Sequence, residues 1–275
     1  MTKQIGAEDE ILFLWQNAST VVIGKNQNSR AECNLPKMDA DGVLLSRRLS
    51  GGGAVFHDLG NLCFSFISRA DIHSVTRQLS VIAEACRTFG IDAVPTGRND
   101  IEADGRKFSG NAFYSVGENK CHHGTVLIAS DMGRLSNYLT VSKTKLEAKG
   151  IKSVRSRVVN LTELVPEITV EDFESALVSV FAPDSVLPMP DEKLYLDRAE
   201  FLSSREWLLG EDPEFSDEIT CKTDEGEFTL HLDVKHGIVK ACVIYTDSLD
   251  TEAAEKISAK VVGKRFEEVT EEWQS

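Results

Sequence analysis

The 275-residue chain has few cysteines and histidines and less positive than negative charge, and each shortage closes off a class of function. The six cysteines, Cys33, Cys63, Cys86, Cys121, Cys221 and Cys242, stand singly with no C-x-x-C pair. That spacing speaks against a cysteine zinc site and a disulfide scaffold, and fits a reducing cytoplasm. No apolar run approaches the roughly 18 residues of a membrane span. The opening MTKQIGAEDEIL mixes charge and polarity, with no apolar core of a secretory signal. Thirty Lys+Arg against 44 Asp+Glu leave a net charge of −14. Nucleic acid is bound by releasing counterions through Lys and Arg, so general nucleic-acid binding is excluded and any polyanion must be met locally. With 41% apolar and 27% charged residues the composition is that of an ordinary globular protein.

The acid is unevenly placed. Residues 191–275 hold 22 acids and 10 bases, a charge of −12, while residues 1–190 hold 22 acids and 20 bases, a charge of −2. Within the larger part, Lys143 to Arg157 (KTKLEAKGIKSVRSR) carries six bases and one acid. A charge run is ordinarily a solvated surface, but this one contrasts with its surroundings and suits a phosphate or an acidic partner. Its glycine and the lack of a helical stripe after Lys149 predict a loop.

Periodicity predicts an α+β fold. The runs ILFLW (11–15) and TVVI (20–23) read as a buried hairpin or two neighbouring strands. Val43 to Leu45, Ala54 to Phe56, Asn61 to Ile67 and His123 to Ala129 read as further strands. Apolar residues at Ile72, Val75, Leu79, Ile82, Cys86 and Phe89 predict an amphipathic helix ended by Gly90. Asp104-Gly105 between two extended runs predicts a two-residue hairpin. Thr169 and Asp172 form a capping box ahead of a helix to Phe181. Pro183, Pro188 and Pro190 mark a boundary near 183–200. The expected domains are therefore 1–190 and a small α+β unit at 200–275. That unit reads as one hairpin, Phe228 to Val234 and Val239 to Tyr245 turning at His236-Gly237, followed by a helix from about Thr251.

Chemistry concentrates in Arg47-Arg48-Leu49-Ser50-Gly51-Gly52-Gly53-Ala54-Val55-Phe56-His57-Asp58. Successive glycines let backbone amides converge on an anion, and Arg supplies fork-shaped donors, so the segment reads as an anion cradle or, equally, as a glycine-rich bend beside solvated arginines. It is neither a P-loop nor a dinucleotide fingerprint. On a hairpin strand Lys107 and Ser109 share a face and Phe108 takes the other, which makes Lys107 either a site cation or an edge-strand lysine that discourages aggregation. His57 either touches a ligand or satisfies backbone groups. His122 and His123 are adjacent on a strand and face opposite ways, and no other His/Cys cluster completes a metal site, so no metal ligation by protein side chains is expected.

Read together and in order, Arg47-Arg48-x-Ser50-Gly51-Gly52-Gly53-Ala54-Val55-Phe56-His57-Asp58-x-Gly60-Asn61, Gly97-Arg98-Asn99-Asp100, Lys107-x-Ser109-Gly110, His122-His123-Gly124-Thr125 and Lys149-Gly150-Ile151-x-Ser153-Val154-Arg155-Ser156-Arg157 resemble the lipoate-protein ligase A family. The resemblance covers nearly the whole chain. It implies a biotin/lipoate protein ligase-like catalytic domain, a mixed sheet packed by helices, with a small C-terminal accessory domain. By the register of the motifs, both ends are expected to fall short of the family's usual extent. It further implies activation of lipoate with ATP and Mg²⁺ to lipoyl-adenylate and pyrophosphate, then transfer to a lysine on lipoyl domains of 2-oxoacid dehydrogenases or on the glycine cleavage H protein. Membranes and nucleic acids are not implied as partners.

The same resemblance makes Lys107 the catalytic lysine, contacting both the lipoate carboxyl and the α-phosphate. Arg48, Gly53, Ala54, Val55 and Phe56 would hold ATP. Trp15, Ser50, Gly51, Gly52, His57 and His123 would hold lipoate. Asn99, Asp100, Lys149, Gly150, Ser153, Arg155 and Arg157 would close on the adenylate. Two alternatives stand beside this: an octanoyl or lipoyl transferase of the same fold with a Cys nucleophile, for which Cys121 beside His122 is the candidate, and a non-catalytic lipoate or nucleotide binder.

Overall fold

The computed structural model describes residues 5–6, 8–97, 99–139, 157–209 and 217–273. Its strands, in chain order, are β1 (Glu10–Trp15), β2 (Thr20–Ile23), β3 (Leu44–Arg47), β4 (Val55–His57), β5 (Asn61–Arg69), β6 (Ala93–Thr96), β7 (Asp100–Ala103), β8 (Arg106–Val116), β9 (Asn119–Leu127), β10 (Asp217–Thr223), β11 (Gly226–Lys235) and β12 (Ile238–Thr246). The chain divides into two compact units. One comprises Met1–Thr20, Phe56–Asn137 and Val141–Leu196; the other comprises Val21–Val55, Tyr138–Thr140 and Asp197–Ser275. No helix among the described residues is long and apolar enough to cross a membrane.

The first unit is built on a six-stranded sheet in the order β1-β5-β9-β8-β7-β6, each neighbouring pair antiparallel. A parallel bridge, Lys107↔Val158, joins residue 158 to β8. The helices Val75–Arg87 and Val170–Phe181 bring their apolar faces to one side of this sheet. Alternation along the strands decides which residues meet them. Leu62, Phe64 and Phe66 of β5, Val126 of β9 and Ile101 of β7 point to the helices and are buried. Each phenylalanine there contributes about 2–3 kcal/mol by leaving water.

Local signals explain where the helices begin and end. Ser74 accepts from the Arg77 amide at the start of Val75–Arg87, and Gly90 closes the far end with φ +75°. Ile72, expected inside this helix, lies just before it and is exposed. The capping box of Thr169 and Asp172 forms as the sequence predicts, with reciprocal side-chain to backbone bonds. Asp104 and Gly105 both adopt positive φ between β7 and β8, the conformation of a tight hairpin turn.

Two sequence expectations need correction. ILFLW and TVVI do not form a hairpin: β1 is an edge of the six-stranded sheet and pairs with β5, whereas β2 lies in a three-stranded sheet of order β3-β2-β4. The burial patterns give the reason. All four residues of β2 are buried, as in a central strand, while β1 is intermediate throughout, as at an edge. The C-terminal part is also more than one hairpin and one helix. Strand β10 pairs with β11, and β11 with β12, giving a three-stranded antiparallel sheet. The helices Ala253–Val261 and Phe266–Trp273 bury Ala253, Val261 and Val269 with Phe228, Leu230 and Leu232 in a separate core. Strand β10 (DEITCKT) carries too few apolar residues to announce itself.

Candidate functional site

In the first unit, the sheet face opposite the helices carries Trp15, His123 and Lys107 of the residues singled out from sequence. The register places Trp15 opposite Cys63, Phe13 opposite Ser65, Ser65 opposite His123, Cys63 opposite Thr125, Ala112 opposite His123 and Gly110 opposite Thr125. Directly opposed residues share a face. That face therefore runs from Trp15 and Phe13, stacked at 5.3 Å between ring centroids, across small side chains to Gly110. The floor of Cys63, Ser65, Thr125, Ala112 and Gly110 leaves room above it, and three strand spacings separate Trp15 from β8, about 14 Å. On this face Trp15 and His123 are expected from sequence as lipoate contacts, and Gly110 and Thr125 as motif residues. The signal for the rest was the alternation in Cys63-x-Ser65, His123-x-Thr125 and Gly110-x-Ala112.

Lys107 reaches the same face by a route that the sequence conceals. Ile101 pairs with Ser109 and Glu102 with Lys107, so Phe108 is an extra residue in β8. This bulge reverses the expected alternation. Phe108 and Ser109 are both buried, whereas a Cβ on Gly110 would meet Lys107 Cε and Nζ at 3.1 Å. Lys107 thus lies over Gly110, on the face opposite Ser109, and the expectation that Lys107 and Ser109 share a face is corrected. Its ammonium sits 2.6 Å from Asp100 Oδ1. Its backbone is held on both sides by residues 157–159: the Lys107 amide donates to the Arg157 carbonyl at 2.8 Å, and the Val159 amide donates to the Lys107 carbonyl at 2.9 Å.

Asn99 and Asp100 are brought to this lysine. Asn99 is clamped to Asn111 by three hydrogen bonds, two into the Asn99 carbonyl and one from the Asn99 side chain to the Asn111 carbonyl. Arg157 is exposed at its turn. Lys149, Gly150, Ser153 and Arg155 lie outside the described residues.

His57, at the end of β4, is buried beside the floor, with Nδ1 2.9 Å from Asn17 Nδ2 and 3.5 Å from Cys63 Sγ. Burial pushes the Cys63 thiol up to about 12, so it is a thiol rather than a thiolate near neutrality. Phe56 is buried, with the Arg134 guanidinium 5.2 Å from its ring centroid. Cys121 is also buried, and burial raises it above the ordinary thiol range. Among the described residues no group of three or more His, Cys, Asp and Glu is placed to hold a metal ion.

The second unit contains the glycine-rich loop. Ser50 is fully buried, and its carbonyl accepts from the Lys25 amide at 2.9 Å. Gly51 and Gly52 pack where no side chain fits: a Cβ on Gly51 would meet the Ser248 carbonyl oxygen at 2.2 Å, and Gly52, with φ +95°, donates its amide to that same oxygen at 2.8 Å. Gly24 faces the Gly52 carbonyl so closely that a Cβ there would sit 2.1 Å from the oxygen. Gly53 is exposed, with open space where its Cβ would be, and Ala54 and Val55 are half-buried.

The arginine pair is not solvated. Arg48 donates to the carbonyls of Gly51, Gly53 and Val22, and burial pulls its guanidinium down to about 10. Arg47 donates to the carbonyls of Gly24, Lys25, Gln27, Trp207 and Leu208 at 2.6–3.2 Å. Both therefore shape the backbone around the loop, and the bend with solvated arginines is corrected.

Residues 1–182 match the family described as lipoyl protein ligase A/B catalytic domain, and residues 212–271 match the bacterial lipoate protein ligase C-terminus. Among solved structures, the chain is 33% identical to Plasmodium falciparum LipL1, crystallised with lipoate, with a TM-score of 0.80 over 94% of this chain and 78% of that one. It is 30% identical to a bipartite lipoate protein ligase of Thermoplasma acidophilum, studied with its E2 lipoyl domain, with a TM-score of 0.66 over 78% of this chain and 90% of that one. A lipoate-protein ligase A bound with ATP is 28% identical, with a TM-score of 0.64 over 76% of this chain and 90% of that one.

Proposed function

Since this chain belongs to the lipoyl protein ligase A/B family, with an α+β ligase-like catalytic domain and the family's C-terminal domain, we propose that it is an ATP-dependent lipoate-protein ligase. The reaction has two steps. The lipoate carboxylate attacks the α-phosphorus of ATP and pyrophosphate leaves; the amine of an acceptor lysine then attacks the acyl carbon of lipoyl-adenylate and AMP leaves. The acceptors are lipoyl domains of 2-oxoacid dehydrogenase complexes and the glycine cleavage H protein. The catalytic part spans about residues 1–190, the accessory part 200–275, and the protein works in the cytoplasm.

The observation that carries this reading is the placement of Lys107. An ammonium held by a bulge over Gly110, on a face that runs from Trp15 and Phe13 across small residues, suits a ligand with an apolar tail and a carboxylate head. Attack of one anion on another needs fixed positive charge more than a base, because the barrier lies in bringing a carboxylate to a phosphate. Lys107 supplies that charge as a compact donor that two oxygens can share. In this reading Trp15, Ser50, Gly51, Gly52, His57 and His123 contact lipoate, and Arg48, Gly53, Ala54, Val55 and Phe56 contact ATP together with Lys107. Arg48 acts partly through the loop carbonyls that it holds in shape. Asn99, Asp100 and the segment from Lys149 to Arg157, with Gly150, Ser153 and Arg155, close on the adenylate; the segment is anchored at Arg157 by the Lys107 amide.

Mg²⁺ is held chiefly by substrate phosphates in sites of this kind, with one or two carboxylates. Asp100, beside Lys107, would be the nearby carboxylate, and the ion would supply charge neutralisation on the phosphates. The transferase reading needs a reactive thiol, and burial raises both Cys121 and Cys63 away from one. Incubation with lipoate, ATP and an apo lipoyl domain tests the proposal. Modification that requires ATP supports it; modification from an octanoyl carrier without ATP sinks it.

A further inference from the structure

One fully buried titratable side chain takes no part in the chemistry above, yet it stands directly behind it. His122, on the helix face of β9, is 0% exposed and ringed by Phe113, stacked at 4.8 Å, and by Phe64 and Phe66 at 5.6 and 5.8 Å. Its Nε2 is 2.8 Å from Asn111 Oδ1, and its Nδ1 is 2.9 Å from Gln78 Oε1. Gln78, also fully buried, donates in turn to Glu10 Oε1 at 2.8 Å. An imidazole here is costly unless each polar contact does something.

The Asn111 end shows what it does. Asn111 Nδ2 donates to the Asn99 carbonyl at 3.0 Å, so turning the amide would set its oxygen against that carbonyl. The oxygen must face His122, whose Nε2 donates to it. Burial pulls the ring's pKa down to about 3, while the Gln78 oxygen 2.9 Å from Nδ1 acts in the opposite direction. Asn111 grips Asn99 through its backbone amide, its side chain and its carbonyl, and Asn99 immediately precedes Asp100, whose carboxylate pairs with Lys107. Gly124 makes the arrangement possible, since a Cβ there would lie 2.9 Å from Asn111 Oδ1 and 2.6 Å from the Gly110 carbonyl oxygen.

We infer that His122 is a positioning residue for Lys107: through Asn111 it fixes the Asn99–Asp100 turn, and through that turn the place of the ammonium on the opposite face of the sheet. The inference rests on the reading of Lys107 as the catalytic lysine. It assigns His122 no contact with substrate and no proton transfer.

The test compares His122→Phe, which keeps an aromatic ring but removes the donor, with His122→Gln, whose amide places an N–H near the Nε2 position. In folded protein, His122→Phe lowers the kcat of lipoate-dependent pyrophosphate release on the order of tenfold while KM for ATP and lipoate stays within about twofold, as expected for a misplaced reacting group. His122→Gln restores most of kcat. In a double-mutant cycle, His122→Phe adds nothing to Asn111→Ala, because both act through one contact. A folded His122→Phe enzyme with wild-type kcat, or losses that multiply in the double mutant, overturns the inference. If His122→Phe does not fold, Asn111→Ser is read against His122→Gln in the same way. A second readout does not need turnover: competitive acetylation of Lys107, followed by peptide mass, rises several-fold in His122→Phe and returns in His122→Gln. A wild type that releases no pyrophosphate therefore refutes the functional reading alone, and unchanged Lys107 labelling in His122→Phe refutes this one.

Discussion

Lys107 Nζ and Asp100 Oδ1 stand 2.6 Å apart because one residue, Phe108, is extra in β8. Without the bulge, alternation would turn Lys107 toward the helix side with Ser109, where a lysine would have to lose its charge or leave the core. The bulge keeps the cation at the open face and buries a phenylalanine in its stead. On its other side Lys107 forms the parallel bridge to Val158.

Removing that cation should stop the first step. Lys107→Met keeps the length of the side chain and the backbone bonds to Arg157 and Val159, so the fold is expected to survive. Lipoate-dependent pyrophosphate release should fall by at least about 100-fold, the scale for loss of a preorganised charge at a developing anion. Asp100→Asn should cost less, on the order of tenfold, because it loosens the lysine without deleting it. Steady-state pyrophosphate assays and circular dichroism on both variants check this.

His122 makes stability depend on pH with a definite sign. Its pKa is held at about 3 in the folded state against an ordinary 6.5. As pH falls below 6.5 the unfolded chain takes up a proton that the folded chain refuses, so stability drops from pH 6.5 toward pH 3, by up to ~1.4 kcal/mol per pH unit from this group. Above pH 6.5 it contributes no slope. Urea midpoints of wild type and His122→Phe across this range should show a shallower decline in the variant; parallel declines would contradict the assignment.

What the sequence disclosed and what it hid follow a physical line. Features set by a few adjacent residues were legible: the capping box at Thr169 and Asp172, the Asp104-Gly105 and His236-Gly237 turns, the glycine cap at Gly90, and the loop of three glycines. Features set by distant partners were not. The bulge at Phe108 is stabilised by residues 157–159, some fifty positions away, so the face of Lys107 was read incorrectly. Arg47 looked like a free cation because its acceptors at Trp207 and Leu208 are 160 residues on. The pairing of β1 with β5 rather than with β2 was equally beyond local pattern. His122 was set aside as half of a failed metal pair, although its two amide partners, Gln78 and Asn111, give it a place in the core.

One substitution probes the close approaches that the fold requires. Gly124→Ala would press a methyl against the Gly110 carbonyl oxygen and Phe64 Cζ, both at 2.6 Å, and against Asn111 Oδ1. Two of these neighbours belong to a strand ladder and a clamped amide and cannot swing away. A loss of about 2–3 kcal/mol in urea unfolding is expected, the scale of overpacking in a core, with little left of pyrophosphate release.

Arg47 anchors the second unit through five backbone carbonyls. Arg47→Met leaves these acceptors without their donor and should cost at least about 3 kcal/mol. Arg47→Lys should recover only a minor part, because one ammonium cannot address carbonyls that the guanidinium fork reaches on separate sides. Chemical denaturation of the two variants distinguishes this scaffold role from a phosphate-binding one, in which stability would hold and only the KM for ATP would rise.

The central claim is ATP-dependent transfer of lipoate to a lysine of a lipoyl domain. The most direct measurement is the intact mass of an apo lipoyl domain after incubation with this protein, lipoate and Mg·ATP, in wild type, Lys107→Met and a Cys63→Ser/Cys121→Ser variant. The account predicts a single lipoyl addition that requires ATP, vanishes in Lys107→Met and persists in the cysteine variant. Addition that proceeds without ATP, or that disappears with the two cysteines while Lys107→Met retains it, would contradict it.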